Sequence, residues 1–309
     1  GWDVNKEGTD VGILESIILE GCFESHSRDM FLTMEKEVYA YRDLFSELDI
    51  QCPICYFADN DVDNLQGIVI IEDLVARGVD FCHAQKPQTF DQVAERLSGL
   101  AKFHASSWNS PALKSDGKWR WIKDMLDETC GYMTRYLDPV SWERFVHSPR
   151  GAAVSTRFHG MAWMKASLDC LPILAEGMPR CVLHGDTHLG NLYIDPDGTP
   201  GFFDPGALKG PSMVEVAYHI ACALDPVDRR CWEAALVQYY LDELESQGVT
   251  HPGFDAAMRQ YAAFLVLGYC IFLVNEPVFQ PEEINTAYTA RFNAAMIDNN
   301  TLEVLRSIC

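Results

Sequence analysis

The sequence is poor in basic residues. Its 309 residues include 24 lysines and arginines but 45 aspartates and glutamates, which gives a formal net charge of −21. A chain with this charge repels nucleic-acid phosphates and anionic membrane surfaces, so nucleic-acid binding is disfavoured. The same field can attract a cationic substrate, although an acidic surface more often serves solubility.

Other features are also missing. No apolar run approaches the roughly 20 residues that cross a bilayer, and the first residues, GWDVNKEGTD, lack the pattern of a signal peptide. The 11 cysteines are scattered through apolar stretches, where reduced cysteine behaves as a small hydrophobe. Cys52 and Cys55 have metal-site or redox spacing, but no second Cys/His pair follows at zinc-site spacing. We therefore expect a soluble, cytoplasmic protein without a membrane segment.

The first part of the chain contains both helical and extended patterns. Apolar residues recur at helical spacing from Met34 to Leu48, with Thr33 as the expected N-cap. Strands are expected around residues 54–57 and 67–74, because these segments are short, apolar and rich in β-branched residues.

In the second part of the chain, apolar residues recur mostly at helical spacing. A capping box that begins at Thr89 opens a long helix reaching His104, a residue that we expect to be a core histidine. Residues 156–174 are compatible with a further helix broken by proline, and the helical period resumes at Glu215. The pattern predicts an α+β protein whose strand-containing part ends just after Leu74.

Residues 184–204 carry the sharpest chemical pattern. Asp186 stands in an H-G-D sequence, Asn191 follows five residues later, and Asp204 follows 13 residues after the asparagine. Phosphoryl transfer needs a carboxylate that accepts the proton of the attacking hydroxyl, and oxygen ligands that hold Mg²⁺ on the phosphates. Asp and Asn beside Gly are also common turn formers. Their joint spacing, with apolar residues before each acid, favours phosphoryl transfer over a simple turn.

A family resemblance rests on these residues. HGDTHLGNLYIDPDGTPGFFD resembles the signature of the aminoglycoside phosphotransferase and choline kinase-like superfamily, and LAKFHASSW and IVIIEDL resemble a helix and the hinge strand of its ecdysteroid kinase-like branch. The resemblance extends from Glu35 to Leu305. It implies a two-lobed protein-kinase-like fold, with a nucleotide-binding lobe over 1–74 and a catalytic and acceptor-binding lobe over 75–309.

The resemblance also implies an activity. The chain would transfer the γ-phosphate of ATP to a hydroxyl of a small molecule, with Asp186 as the catalytic carboxylate and Asn191 and Asp204 as ligands of Mg²⁺. His184 and His188 are not expected to be catalytic, since the resemblance gives the catalytic role to the aspartate. The nucleotide-binding positions would be Glu37, which pairs with a lysine on the ATP phosphates, and Glu72 and Leu74, whose backbone meets the adenine at the end of the hinge strand.

The sequence departs from the family pattern in three places. Pro205 follows Asp204 where the relatives usually carry an aromatic residue, and Glu215 stands where the family has an aspartate, a change expected to have structural consequences only. Nothing before Glu37 resembles a glycine-rich loop, and the only lysine upstream of the cluster around Glu37 is Lys6, which we interpret as a solvated lysine. The phosphate-covering strands would then precede Gly1, or the chain binds nucleotide weakly or not at all.

Two other functional classes stay open at this stage. The first is a kinase-fold protein that binds a small molecule or acts as a scaffold without phosphotransfer, which the missing glycine-rich loop favours. The second is a metal-dependent hydrolase, which is disfavoured because His184 and His188 alone do not complete a His-rich or two-metal site.

Overall fold

The fold is known from a computed structural model of the chain, which describes residues 16–23 and 31–308. The strands are β1 Ile17–Gly21, β2 Cys55–Asp61, β3 Gln66–Glu72, β4 Asp80–Phe81, β5 Cys181–Leu183, β6 Leu192–Ile194, β7 Pro200–Phe202 and β8 Leu208–Gly210. The helices are α1 Phe31–Tyr39, α2 Leu74–Arg77, α3 Phe90–Ser106, α4 Met125–Met133, α5 Pro139–Val146, α6 Pro149–Ala152, α7 Met161–Leu174, α8 Ser212–Ala223, α9 Pro226–Ser246, α10 Phe254–Val274, α11 Glu282–Asp298 and α12 Thr301–Arg306. A small strand-rich N-terminal region therefore precedes a helical C-terminal region, as predicted.

The N-terminal region is an antiparallel sheet in the order β1-β3-β2, with α1 packed against β2 and β3. Val69 and Ile71 of β3 are buried, which explains the run of apolar residues in the sequence of this strand. Thr33 lies within the described helix Phe31–Tyr39 and is therefore not its N-cap. A π-helical stretch, Ala40–Leu44, continues α1, which therefore ends before the predicted Leu48.

The helical region is built around long buried helices. The predicted capping box is present: Thr89 Oγ1 accepts from the Gln92 N–H, and the Gln92 side chain accepts from the Thr89 N–H. α7 continues through Pro172, so the predicted break is wrong, because the proline stands in the last turn and removes only one N–H. α10 is long and apolar enough to cross a membrane, but 78% of its most apolar window is buried inside the protein.

Two small sheets carry the segment with the chemical pattern. β6 and β7 form a hairpin that β4 extends, and β5 pairs with β8. The predicted short strands joined by tight loops are therefore present over residues 181–210. The loop after β5 and the turn after β7 consequently meet at the same cleft.

Candidate active site

Asp186, Asn191 and Asp204 all line one cleft of about 600 Å³. Asp186 lies in the loop after β5, and Asn191 ends a short 3₁₀ turn before β6. The Asn191 Nδ2 donates to the backbone oxygen of Asp186 at 3.0 Å and to its carboxylate at 3.2 Å. Because the amide nitrogen is engaged in this way, the Asn191 Oδ1 is left as the ligating atom.

The Asp186 carboxylate is held in place but remains open to the cleft. The Tyr218 hydroxyl, from α8, donates to Asp186 Oδ1 at 2.9 Å. His188 Nε2 lies 3.6 Å from the other carboxylate oxygen. The Asp186 side chain is nevertheless 42% exposed, so a bound hydroxyl can reach it.

Asp204 has surface that is open to the cleft, while protein atoms crowd its carboxylate from the other sides. This desolvation, and after it the charges of Asp186 and Glu20, raise the pKa of Asp204 to about 6. Its backbone has φ of 55°, a left-handed conformation that aspartate tolerates better than most residues. This conformation turns the chain sharply after β7, immediately before Pro205, and the carboxylate is still presented to the cleft.

His184 links the loops that carry the two acids. Its buried ring accepts from the Asp186 N–H at Nδ1, at 3.3 Å, and Nε2 lies 3.0 Å from the Phe203 carbonyl oxygen, to which it donates. Burial lowers the pKa of His184, so the ring is neutral. Gly185 between them has φ of 90° and lies so close to Leu208 that a Cβ would approach within 3.2 Å. The H-G-D sequence therefore needs both its histidine and its glycine for geometry.

Glu215 has the structural role expected of it, but its contacts with the loop of Asp186 were not predicted from the sequence. Its carboxylate is fully buried and accepts from the backbone N–H groups of His184 at 3.0 Å and Gly185 at 2.7 Å. It also lies 2.9 Å from His104 Nε2, while His104 Nδ1 lies 2.8 Å from the Tyr240 hydroxyl. Burial alone would raise the pKa of Glu215, but the hydrogen bonds and the charge of His104 hold it below its usual value. Glu215 and His104 thus fix the loop that carries Asp186.

Glu37 lies on the strand-rich side of the site. Its carboxyl group is buried and hydrogen-bonds the side chain of Glu20 in β1. Burial, then the charges of Glu20 and Asp204, raise the pKa of Glu37 to about 9, so it carries a proton at neutral pH. Within residues 16–23 and 31–308, no lysine lowers the pKa of Glu37. Lys6 lies outside the described residues, and among those residues the hydrogen-bond partner of Glu37 is a second carboxyl group.

Glu72 and Leu74 lie at the end of β3 and the start of α2. The Glu72 side chain is buried and accepts from Arg77 Nη1 at 2.7 Å, and Arg77 also binds Asp195 of the β6–β7 hairpin at 2.6 Å. This bridge fixes the hinge to the helical region. The Glu72 carboxylate is therefore already paired with Arg77. Contact between the adenine and the backbone of Glu72 and Leu74 stays a prediction.

Comparison with known proteins identifies the family. Residues 32–254 match the family described as "Phosphotransferase enzyme family" (APH), which covers more than half of the chain. The chain belongs to this family. No curated protein sequence matches it significantly.

Solved structures share the fold at low sequence identity. An aminoglycoside phosphotransferase from Streptomyces rimosus, in complex with ADP and streptomycin, is 14% identical with a TM-score of 0.50, over 82% of this chain and 87% of that chain. A choline kinase from Streptococcus pneumoniae is 13% identical with a TM-score of 0.50, over 94% and 86%. An ethanolamine kinase from Plasmodium vivax is 12% identical with a TM-score of 0.52, over 95% and 77%. The fold is thus that of small-molecule kinases, and the ecdysteroid kinase-like branch stays a prediction.

Proposed function

We propose that the protein is an ATP-dependent phosphotransferase that transfers the γ-phosphate to a hydroxyl of a small molecule. The observation that carries this proposal is the open carboxylate of Asp186, held by Tyr218 and Asn191 in the same cleft as Asp204. A solved structure with this fold contains ADP and streptomycin, which supports a nucleotide and a hydroxylated acceptor as ligands.

The residues present fit Mg²⁺ that arrives with the nucleotide. Asn191 and Asp204 offer an amide oxygen and a carboxylate, the ligand types that Mg²⁺ prefers. Among the residues that the structure describes, no cluster of three or more His, Cys, Asp or Glu side chains could hold a metal ion by itself. Phosphate oxygens and water would therefore complete the shell, and the bound ion would neutralise charge on the phosphates.

In the reaction, Asp186 accepts the proton of the acceptor hydroxyl as the oxygen–phosphorus bond forms and ADP leaves. Tyr218 orients the carboxylate through Oδ1, and Asn191 contacts its other oxygen. Glu215 and His184 hold the surrounding loop rigid. This arrangement supplies positioning and a general base, which are the main protein contributions to phosphoryl transfer.

The decisive variant is Asp186→Asn, which keeps the size and one acceptor oxygen of the side chain but removes the base. Turnover should fall by about 10²- to 10⁴-fold, with nucleotide affinity nearly unchanged. The assay measures ATP consumption across amino-alcohols, sterols and aminoglycosides with the longest natural form of the protein. Asp197→Asn, on an exposed turn of the β6–β7 hairpin, is the matched control and should retain full turnover. Equal activity of the Asp186→Asn enzyme would refute the assigned role.

Asp204→Ala tests the magnesium assignment. We expect calorimetry to detect weaker nucleotide binding by the variant only when Mg²⁺ is present, because the lost carboxylate acts through the ion. Tight Mg²⁺ binding by the natural protein without nucleotide, or identical nucleotide affinity in both proteins with Mg²⁺, would contradict it.

A second candidate function is small-molecule binding without phosphotransfer. The observation that favours it is the pairing of Glu37 with Glu20: within the described part of the chain, Glu37 bonds a carboxyl group and not a lysine. Calorimetry with Mg²⁺ and ATP distinguishes the two functions. Acceptor binding without any nucleotide binding would support this second function.

A further inference from the structure

A smaller cavity, of about 210 Å³, lies outside the active cleft. It is formed by the segment after α3, the residues just before α4 and β5, and strand β8. At about 30 Å³ per water molecule, it has room for about seven waters, which is enough for a small ligand with part of its hydration shell. Six of its lining residues are polar or charged: Asn109, Ser110, Lys114, Asp124, Arg180 and Lys209.

This cavity is basic, although the protein as a whole is strongly acidic. Lys114, Arg180 and Lys209 are cations, and among the described residues that line the cavity the one carboxylate is that of Asp124. The formal net charge of the chain is −21. Asp124 is already engaged, because its two oxygens accept from Arg180 Nε at 2.9 Å and from the Leu126 N–H at 3.0 Å. Two lysines therefore face the cavity without a carboxylate of their own among its described lining residues.

The three cations keep unused hydrogen-bond donors. Lys209 Nζ donates to the Leu113 carbonyl oxygen at 2.9 Å, which uses one of its three donors. Arg180 donates through Nε to Asp124 and through Nη1 to two carbonyl oxygens, which leaves its Nη2 to donate to a ligand. Lys114 is exposed, so its ammonium group can turn toward the cavity. Because the three positive charges repel one another, an anion between them would relieve this repulsion.

Two neutral side chains add further donors. Asn109 has φ of 49°, a left-handed conformation that asparagine tolerates, and its N–H donates to the Arg180 carbonyl oxygen at 2.7 Å. The Asn109 Oδ1 accepts from the Arg180 N–H at 3.0 Å, so its Nδ2 is left to donate to a ligand. Ser110 Oγ accepts from the Ala112 N–H at 3.2 Å and keeps its own proton to donate. Donors from five side chains thus surround the cavity, which is the chemistry of an anion site.

The cavity adjoins the two strands that lead to the acids of the active cleft. Arg180 directly precedes β5, and Lys209 of β8 pairs with Val182 of β5. Asp186 lies in the loop after β5, and Asp204 lies in the turn before β8. An anion held by both Arg180 and Lys209 would therefore connect the strands that position these two loops.

We propose that this cavity binds a small phosphate anion, either inorganic phosphate or a phosphate monoester, and that the bound anion braces β5 against β8. A tetrahedral oxyanion suits the cavity because its oxygens can accept from lysine, arginine and amide donors on different sides. Occupation of the cavity does not require phosphotransfer. The negative charge elsewhere on the protein opposes this binding only weakly, since salt screens charges beyond about 8 Å at physiological ionic strength.

Calorimetry with inorganic phosphate on the full chain tests the binding. EDTA is present and nucleotide is absent, so no Mg²⁺ can hold phosphate in the active cleft, and sodium chloride keeps the ionic strength constant. We expect one saturable site with a dissociation constant of about 1 mM or lower. The absence of saturable binding of both phosphate and glycerol 3-phosphate would overturn the proposal.

Glycerol 3-phosphate distinguishes the two sources of the phosphate group. Tighter binding of glycerol 3-phosphate than of inorganic phosphate would identify a monoester as the ligand, and weaker binding would identify free phosphate. Equal affinity would show that the site recognises the phosphate group alone.

Two exposed lysines locate the bound anion. Lys114→Ala removes one cation of the lining and should weaken phosphate binding about tenfold, the equivalent of about 1.4 kcal/mol. Lys123→Ala is the matched control, because Lys123 is also exposed and makes the same change in net charge but does not line the cavity. It should change the affinity less than twofold. Equal weakening by the two variants would show that net charge, and not this cavity, decides the affinity, and would overturn the site.

Hydrogen exchange tests the bracing of the two strands. Saturating phosphate should slow the exchange of backbone amides in β5 and β8 about fivefold in the natural protein. The same phosphate concentration should have a smaller effect on the Lys114→Ala protein, because less of it is occupied. Phosphate binding with unchanged exchange in β5 and β8 would overturn the bracing role, and equal slowing in both proteins would overturn the assignment to this cavity.

Discussion

Buried carboxyl groups on the two sides of the cleft have opposite protonation states. On the helical side, Glu215 stays ionised because two backbone N–H groups and His104 compensate its charge. On the strand side, Glu37 faces Glu20 and keeps a proton. Both Glu37 and Glu215 are buried, so the hydrogen-bond donors around each carboxyl group decide whether it is protonated. The loop that Glu215 supports can therefore keep its geometry without a ligand. On the strand side, a ligand or a change of pH would alter the charge of Glu37.

Removing Glu215 should have the largest effect on stability, because it takes away the ionised carboxylate of the helical side. Glu215→Ala leaves two backbone N–H groups and His104 without their buried partner, and we expect the free energy of unfolding to fall by about 3–5 kcal/mol. Urea unfolding followed by tryptophan fluorescence measures this. Glu303→Ala, which removes an exposed acid from α12, is the control and should have little effect. A loss below about 1 kcal/mol would mean that the Glu215 network is not a main support of the loop.

The second prediction concerns the strand side and pH. The folded-state pKa of Glu37, about 9, lies above the ordinary value of 4.5 for a glutamate. The stability that neutral Glu37 contributes is therefore fully present below pH 4.5 and is lost as pH rises toward about 9. Each pKa unit corresponds to about 1.4 kcal/mol. Glu37→Gln cannot ionise, so its free energy of unfolding should depend less on pH over this range.

Unfolding titrations at a series of pH values provide the measurement. Glu35→Gln, on the same helix, is the control and should keep the pH dependence of the natural protein. Glu20→Gln removes the charge of Glu20 and changes its hydrogen bond, but it leaves burial, the largest cause of the raised pKa of Glu37, so it should flatten the profile partly. Parallel profiles for Glu37→Gln and the natural protein would show that Glu37 titrates normally in solution.

The same comparison shows what could be predicted from the sequence. Asp186, Asn191 and Asp204 lie within 19 residues, joined by a short hairpin, so their spacing alone indicated a common site. The capping box at Thr89 could also be predicted from the sequence, because its hydrogen bonds join residues that are three positions apart. Local chemistry thus predicted these features.

The supports of the site could not be predicted because they depend on long-range packing. His104 and Glu215 are 111 residues apart, and no sequence period links them. Glu37 and Glu20 meet only through the pairing of β1 with β3 and the packing of α1, and β1 is too exposed to give a clear apolar pattern.

The smallest expected effect belongs to Tyr218, the link between Asp186 and α8. Tyr218→Phe removes one hydrogen bond to a charged group, worth about 1.5–3 kcal/mol at most, while Asn191 still contacts the same carboxylate. We expect turnover to fall by roughly tenfold, the equivalent of about 1.4 kcal/mol, with the KM for ATP unchanged. Tyr261→Phe, which removes a buried hydroxyl bonded to Glu233 in the helical core, is the control. In the Asp186→Asn background, Tyr218→Phe should have little further effect on turnover, because the base that it positions is already absent. A full tenfold loss in that background would mean that Tyr218 acts independently of Asp186.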